Sequence, residues 1–458
     1  MLFSRRASGN SAVPIRHTEI IIENVRVFSG RHRIPIKPLT FVTGENSSGK
    51  STLIAMISAM YDYESYPLQP RFNAPPFNLG GYDTIATVLE DTQEPAKSFS
   101  IGFYKEGGER GTTISVVATY NEKLGNPDFR KLTIDYDDVQ YQIEAFDSED
   151  NVFEGHITVR KGKVEIGSDF NFPRIFGDAR RIRLDEIAYH IFRDNEDIIR
   201  AKRDDSDYRW IFERIYDLGY FSVPGRALSI APIRTKPERI YGHAEAEYRP
   251  AGDHIPFTLS RLFSQGSAWE EKRAVISALN TFGEESGMFE GFKVHKLGKH
   301  ASDPFQLTVT IDGNDRNLVD VGYGVSQALP IVVQSVLTAD SRLLLLQQPE
   351  VHLHPKAQAA LGSFFSRLVS DGTREIIVET HSDYIIDRVR QEVARGNIDP
   401  DLIQIIFMHK DSSGARAHNI DLDRNGNIVN APPYYREFFL REEMNLLTRS
   451  SEELGPTE

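Results

Sequence analysis

A short glycine-rich segment constrains this chain more than any other feature. Residues 44–51 read GENSSGKS and fit the pattern G-x-x-x-x-G-K-[ST]. An apolar run at 34–43 predicts a strand before the segment, and the apolar spacing at 50–60 predicts a helix after it. A loop of this pattern between a strand and a helix wraps backbone N–H groups around phosphates. The sequence therefore predicts a nucleotide-binding loop within an α/β fold.

The residues of this loop have individual predicted tasks. Lys50 is expected to reach the β- and γ-phosphates, and the Ser51 hydroxyl is expected to ligate Mg²⁺. The helix that begins at Lys50 would add the positive end of its dipole. The full set predicted to contact the nucleotide is Gly44, Glu45, Asn46, Ser47, Ser48, Gly49, Lys50, Ser51 and Thr52.

Composition excludes several classes of protein. The absence of cysteine among the 458 residues rules out disulfide frameworks and thiolate metal sites. A formal net charge of −13 disfavours bulk attraction to nucleic acid, so a nucleic-acid partner is possible but not indicated. No apolar run approaches the ~20 residues of a membrane span, and residues 1–17 lack the apolar core of a secretory signal. We expect a cytoplasmic protein with no membrane partner.

Strand-like and helix-like segments alternate in the C-terminal half. Strands are predicted at 342–346, 375–380 and 402–408, and helices at 327–339, 355–370 and 383–394. Such alternation is typical of a parallel sheet covered on both faces. Short β-like runs between 98 and 166 predict antiparallel strands, and the dense charge at 184–218 predicts an outward-facing helical insertion.

Three later segments carry a resemblance to a known family. They are DVGYGVSQALP at 320–330, LLLLQQPEVHLHP at 343–355 and IIVETHSD at 376–383. With the loop, they resemble the ATP-binding head of ABC-type ATPases. More narrowly, they resemble the AAA-like group related to the overcoming-lysogeny-defect proteins and the SMC and RecF heads, of the kind found in bacterial anti-phage defence systems. The resemblance implies an α/β P-loop NTPase fold with an ABC-type head, in which a mixed sheet is joined by an antiparallel β-subdomain and a helical insertion.

The resemblance and the composition shifts together suggest a division of the chain. The expected parts are a flexible N-terminal extension at 1–17, the first part of the ATPase head with the loop at 18–97, an antiparallel β-subdomain at 98–170, a mostly helical insertion at 171–230, the second part of the head at 231–445 and a polar tail at 446–458.

The resemblance also implies that ATP is shared between two subunits. The loop of one chain would hold the phosphates, and a signature turn of the other would close over them. That turn corresponds here to Gly322, Gly324 and Ser326. Relatives usually place serine before the second glycine, where this chain has Tyr323. Either Ser326 supplies the hydroxyl or the contact rests on backbone amides alone.

The strand that carries the catalytic acids in the family shows the largest departure. Gln347 and Gln348 stand where the resemblance implies a magnesium-binding acid and a general-base glutamate. An amide cannot hold the magnesium hydration shell as a carboxylate does, and it cannot accept a proton. Gln348 could still orient a water molecule, and Glu350 is a candidate for approaching the metal. His381 matches the switch histidine that contacts the γ-phosphate.

These residues define the predicted chemistry. The predicted catalytic set is Gln348, His381 and Glu350, and the predicted metal set is Ser51 and Gln347. We expect a chain that binds ATP tightly with Mg²⁺ and hydrolyses it slowly.

Several other residues allow two interpretations. Glu350, His352 and His354 form either a zinc site or, in our preferred interpretation, the turn that follows the catalytic strand. Arg234 and Arg239 either face phosphate or form salt bridges on a solvated face.

Two further features also allow two interpretations. Asp421 and Asp423 are typical of a nuclease motif, but too little chain follows for such a domain, so a turn between strands is favoured. A basic run at 180–183 could contact nucleic acid, although a solvated face is favoured.

The sequence thus predicts an ATP-driven conformational switch. It would form a dimer or higher oligomer with ATP at shared interfaces, and it would control a separately encoded effector, such as a nuclease, in anti-phage defence. The alternative is a DNA-repair or recombination ATPase of RecF or SMC-head type that clamps DNA. A third interpretation, an active housekeeping ATPase, is weakened by the two glutamines.

Overall fold

The structure, a computed structural model, describes residues 17–62, 65–107, 112–146, 152–173, 193, 227–242, 247–264, 269–300, 303–338, 343–412 and 414–437. In chain order the strands are β1 (His17–Val25), β2 (Phe28–Ile36), β3 (Leu39–Gly44), β4 (Ser98–Gly107), β5 (Thr112–Lys123), β6 (Asn126–Tyr136), β7 (Val139–Ala145), β8 (Val152–Lys161), β9 (Val164–Pro173), β10 (Ala227–Ile230), β11 (Gly291–Lys296), β12 (Phe305–Ile311), β13 (Asn314–Asn317), β14 (Leu343–Gln347), β15 (Glu375–Glu379), β16 (Ile403–Asp411), β17 (Gly414–Leu422) and β18 (Ile428–Val429). The helices are α1 (Lys50–Met60), α2 (Tyr82–Ile85), α3 (Ile255–Leu262), α4 (Trp269–Ser286), α5 (Tyr323–Leu337), α6 (Pro355–Val369) and α7 (Asp383–Ala394), with 3₁₀ turns at Leu318–Asp320 and Pro400–Leu402.

A mixed sheet forms the centre of the fold. Its strand order is β10-β14-β15-β3-β16-β17-β18, and the first five strands run parallel. Every residue of β14 is buried, which is the pattern of a parallel strand covered on both faces. The carboxyl ends of β3, β14 and β15 therefore lie along one edge of this sheet.

The two faces of the mixed sheet belong to different hydrophobic cores. Leu343 and Leu345 pack with α1 and with an antiparallel sheet of order β2-β1-β4-β5-β6-β7-β8-β9. Leu344 and Leu346 pack with α4, α5, α6 and α7 on the other face. Successive side chains of a strand point to opposite faces, so one run of leucines supports both layers.

The fold class predicted from the sequence is confirmed, with local differences. The apolar pattern at 18–28 predicts one strand, but Arg26 adopts a left-handed conformation and the chain turns from β1 into β2. The expected strand at 34–43 is divided between β2 and β3, because Pro38 has no N–H to donate to a ladder. The small sheet β11-β12-β13 and helix α4 were not anticipated.

Some predictions lie wholly or largely outside the described residues. They are the extension at 1–17, the insertion at 171–230, the basic run at 180–183 and the tail at 446–458. The boundaries of the expected parts stay predictions. Within the described ranges, no helix is both long enough and apolar enough to span a membrane.

Candidate nucleotide-binding site

The glycine-rich loop connects β3 to α1, as the sequence predicted. Gly44 has a φ of +133°, and it pairs with Met408 of the neighbouring strand β16. A Cβ atom at Gly44 would lie 2.0 Å from the Met408 carbonyl oxygen. Only glycine allows β3 to run this close to β16 and still turn into the loop.

Internal hydrogen bonds fix the shape of the loop. The wholly buried Ser48 donates its hydroxyl hydrogen to the Glu45 carbonyl at 2.8 Å, and the Glu45 N–H donates to the Met408 carbonyl at 3.3 Å. Glu45, Asn46 and Ser47 are exposed. The base of the loop is thus held by the sheet, while its tip is open to solvent.

Lys50 lies against the inner side of this loop and is only 5 % exposed. Its Nζ donates to the carbonyl oxygens of Gly44, at 3.0 Å, and Glu45. Burial lowers the pKa of Lys50, and the charges of Glu379 and Glu45 oppose that shift. The ammonium group is therefore a compact positive charge next to the loop, the arrangement that binds phosphate.

The start of α1 completes the anion-binding geometry. Gly49 is the N-cap, and the first bond within the helix joins the Leu53 N–H to the Gly49 carbonyl at 2.9 Å. N–H groups before that bond belong to the unpaired first turn of the helix and carry the positive end of its dipole. Thr52, which was predicted to contact the nucleotide, is buried in this turn.

A carboxylate that the sequence analysis did not select faces the loop serine. The Ser51 hydroxyl donates to Oε1 of Glu379 at 2.7 Å, and Nε2 of Gln347 lies 3.4 Å from Oε2 of the same carboxylate. Glu379 is the last residue of β15 and is 3 % exposed. A charged residue ending an apolar run in the alternating C-terminal half is the signal that could have identified Glu379.

The predicted catalytic glutamine lies in a tight turn after β14. Gln348 has a φ of +43°, and its N–H donates to the Glu379 carbonyl at 2.8 Å. Its carbonyl oxygen accepts a hydrogen bond from Nη2 of Arg234 at 3.0 Å. The backbone of Gln348 is thereby fixed from both sides at the same sheet edge as the loop.

Both carboxylate oxygens of Glu350 accept hydrogen bonds from the segment that follows β15. Oε2 accepts from the Thr380 hydroxyl at 2.9 Å, and Oε1 accepts from the His381 backbone N–H at 2.7 Å. Both carboxylate oxygens therefore support the segment that carries His381. The imidazole of His381 is exposed between β15 and α7, at the position predicted for the switch histidine.

The signature turn is the start of α5. Gly322 is its exposed N-cap, and a Cβ atom at Gly324 would lie 2.9 Å from the His352 carbonyl oxygen. The hydroxyl of buried Ser326 donates to the Tyr323 carbonyl within the helix, at 2.7 Å. Because this hydroxyl is turned inward, the geometry favours backbone amides over the Ser326 side chain for any contact with phosphate.

The two arginines have different environments. Arg239 forms an exposed bidentate ion pair with Asp320, so the salt-bridge interpretation holds for it. Arg234 is 3 % exposed, and burial lowers its pKa to about 10. Besides Gln348, its guanidinium lies near the carbonyl oxygens of Gln327, at 3.4 Å, and Gln347, at 3.5 Å. This buried position contradicts the solvated-face interpretation of Arg234.

The remaining candidate residues have structural partners. The His352 ring contacts Tyr323 edge to face at 5.1 Å, and Nδ1 of His354 accepts from the Lys356 N–H at the start of α6. Asp423 accepts hydrogen bonds from the N–H groups of Asn425 and Asn427, which confirms the turn after β17. In the described part of the chain, no group of three or more histidine, aspartate or glutamate side chains is arranged to hold a metal ion.

One family model and several solved structures match this chain. The family model described as "AAA domain, putative AbiEii toxin, Type IV TA system" matches residues 39–387. Similar solved structures include an SMC head bound to the C-terminal winged-helix domain of ScpA, with 12 % identity, a TM-score of 0.43, and coverage of 90 % of this chain and 98 % of that chain. The SMC head domain from Thermotoga maritima has 11 % identity and a TM-score of 0.39, and the match covers 91 % of this chain and 100 % of that chain.

A third solved structure is the SMC head with an extended coiled coil bound to the C-terminal domain of ScpA, derived from Pyrococcus furiosus. It gives 10 % identity, a TM-score of 0.41, and coverage of 96 % of this chain and 100 % of that chain. No curated protein matches the sequence.

Proposed function

Because the chain belongs to the AAA domain family of the AbiEii toxin type, we propose that it binds ATP with Mg²⁺ and acts as a slowly hydrolysing conformational switch. The observation that carries this proposal is the loop of residues 44–51. There the buried Lys50, the N-terminus of α1 and the Ser51 hydroxyl converge at one edge of the sheet. This donor set suits a nucleotide triphosphate with its metal ion.

The residues of the chain divide the chemistry between them. The loop amides and Lys50 bind the phosphates, and bound Mg²⁺ would neutralise charge on the β- and γ-phosphates. Gln348 and His381 orient the attacking water. No carboxylate stands at position 348 to accept its proton, so turnover is slow.

The position of the signature turn supports self-association. Gly322 lies on the surface at the N-terminus of a 15-residue helix, which is an anion-binding arrangement. In our proposal this turn closes over the ATP held by a second copy of the chain. The dimer, or a higher oligomer, then forms with ATP and dissociates after hydrolysis.

The biological role extends this switch to a partner. The family description names a toxin of a toxin–antitoxin system, which supports a part in defence against phage. In that role the chain controls a separately encoded effector, such as a nuclease, in the cytoplasm. The net charge of −13 disfavours the alternative, a RecF-like or SMC-like DNA clamp, and salt-sensitive DNA binding by the purified chain would favour that alternative instead.

Multiple-turnover ATP hydrolysis by the wild type and by Gln348→Glu tests the slow switch. We expect little turnover in the wild type and at least a tenfold gain in the variant, because a carboxylate can act as a general base. Gln391→Glu, the same change at an exposed position of α7, is the control and stays at the wild-type rate. Brisk wild-type turnover would show that another group supplies the base, and it would contradict the proposal.

A further inference from the structure

Glu379 lies on β15, between β3, which leads into the glycine-rich loop, and β14, which carries Gln347. Strand β15 lies between β14 and β3, and Glu379 pairs in register with Gln347 on one side and with Val42 on the other. Neighbouring strands are roughly 4.8 Å apart, so residue 379 is one strand nearer to the loop than residue 347. A carboxylate at position 379 is therefore closer to Ser51 and the loop than an acid at position 347 would be.

We propose that Glu379 supplies the carboxylate that holds the hydration shell of nucleotide-bound Mg²⁺, in place of the missing acid on β14. The inference rests on the proposed ATP binding. Its direct support is the 2.7 Å hydrogen bond from the Ser51 hydroxyl, because Ser51 is the residue predicted to ligate the same ion. Mg²⁺ in such sites takes one or two carboxylates, several waters and phosphate oxygens.

The hydrogen-bond donors around Glu379 leave its negative charge available to attract a cation. The side chain is almost fully buried, and its hydrogen-bond donors, Ser51 and Gln347, are both neutral. A buried carboxylate is costly unless it is paired or coordinates a metal. Lys50 is close enough for the charge of Glu379 to raise its pKa against the effect of burial. A carboxylate also has about four acceptor sites, so two donors leave room for metal-bound water.

The same geometry explains why β14 ends in an amide. Gln347 approaches Glu379 at 3.4 Å through its Nε2, which can donate a hydrogen bond. An acid at position 347 would place two carboxylates side by side, and one of them would be forced towards its protonated form. Gln347 therefore serves as a neutral hydrogen-bond donor to Glu379. The amide of Gln348, in contrast, cannot act as a general base. Metal binding and slow turnover are therefore compatible.

Fluorescence titration with a mant-labelled ATP, in EDTA and in excess Mg²⁺, tests the proposal. Wild-type affinity is expected to rise with Mg²⁺. In Glu379→Gln this gain falls about tenfold or more, while affinity in EDTA is retained, which also shows that the variant is folded. The matched control Glu375→Gln, at the other end of β15, keeps the full gain.

The double variant Gln347→Asp/Glu379→Gln returns the carboxylate to β14 and is expected to recover the gain. Mn²⁺ electron paramagnetic resonance with ATP provides a readout independent of nucleotide fluorescence, and Glu379→Gln should bind less Mn²⁺ than the wild type. An unchanged Mg²⁺ gain in Glu379→Gln, equal loss of affinity with and without Mg²⁺, or a double variant no better than the single one would each overturn the inference. Wild-type protein that binds no nucleotide in either buffer would instead overturn the proposed function, and the inference with it.

Discussion

At the scale of single residues, the loop depends on atoms that a side chain would displace. Gly44 adopts a backbone conformation with a φ of +133°, and its Cα faces the Met408 carbonyl directly. Gly30 also has a positive φ, of +70°, but open space surrounds the position of its missing Cβ. The two glycines therefore separate the cost of the backbone conformation from the cost of the close approach.

Gly44→Ala is expected to lower the free energy of unfolding by about 2 kcal/mol or more and to abolish ATP binding, because β3 must move away from β16. Gly30→Ala should lose only about 1 kcal/mol and bind ATP normally. Urea denaturation and nucleotide titration measure both effects. A Gly44→Ala variant as stable as Gly30→Ala would contradict this account of the loop.

Some residues of the candidate site could be predicted from the sequence, and others could not. The motif around Lys50 and Ser51 was sufficient to predict the loop, because its spacing alone sets the backbone path. Glu379 was missed because its role depends on the strand order β14-β15-β3, which brings together residues far apart in the chain. The contacts of Glu350 could not be predicted for the same reason, since its partners Thr380 and His381 lie on another segment.

At the scale of elements, the alternating C-terminal half was predicted best. Buried β14 and the helices α6 and α7 have strong apolar patterns, and Ser382 caps α7 by accepting from the Ile385 N–H. The antiparallel strands were located less accurately, because short alternating runs do not fix where a bulge or turn falls. The small sheet β11-β12-β13 was missed, as its edge strand β13 is polar.

Arg234 links three elements that the sequence does not connect. It follows β10 and reaches carbonyl oxygens at the end of β14 and in α5. Lysine presents a single compact ammonium group and cannot serve several acceptors in this way. Arg234→Lys should therefore lower the free energy of unfolding by about 2 kcal/mol or more in urea denaturation.

Arg239→Lys is the matched control, because Arg239 makes an exposed ion pair with Asp320. Its expected effect is within about 0.5 kcal/mol. Equal stability of the two variants would mean that Arg234 does not fix the turn at Gln348.

At the scale of the whole molecule, the mixed sheet is covered on both faces, and its carboxyl edge carries the loop, Glu379 and Gln348. The signature turn is also at the surface, where nothing surrounds the position of a Cβ at Gly322. The proposed dimer would bury this turn against a second copy. A substitution there can block association without disturbing the fold.

Gly322→Asp is expected to keep wild-type stability and ATP affinity but to lose ATP-dependent association, because it adds bulk and negative charge opposite phosphate. Gly242→Asp, at another exposed and unencumbered glycine, should associate normally. Sedimentation velocity with and without ATP measures the difference. ATP-dependent association that survives in Gly322→Asp would place the interface elsewhere.

The central claim is that the loop of residues 44–51 binds ATP. Isothermal titration calorimetry with ATP and Mg²⁺, on the wild type and on Lys50→Ala, tests it most directly. We predict saturable binding by the wild type and a loss of at least a hundredfold in affinity for the variant, since the charge next to the phosphates is removed. Equal affinity in the two proteins, or no binding by the folded wild type, would contradict the account.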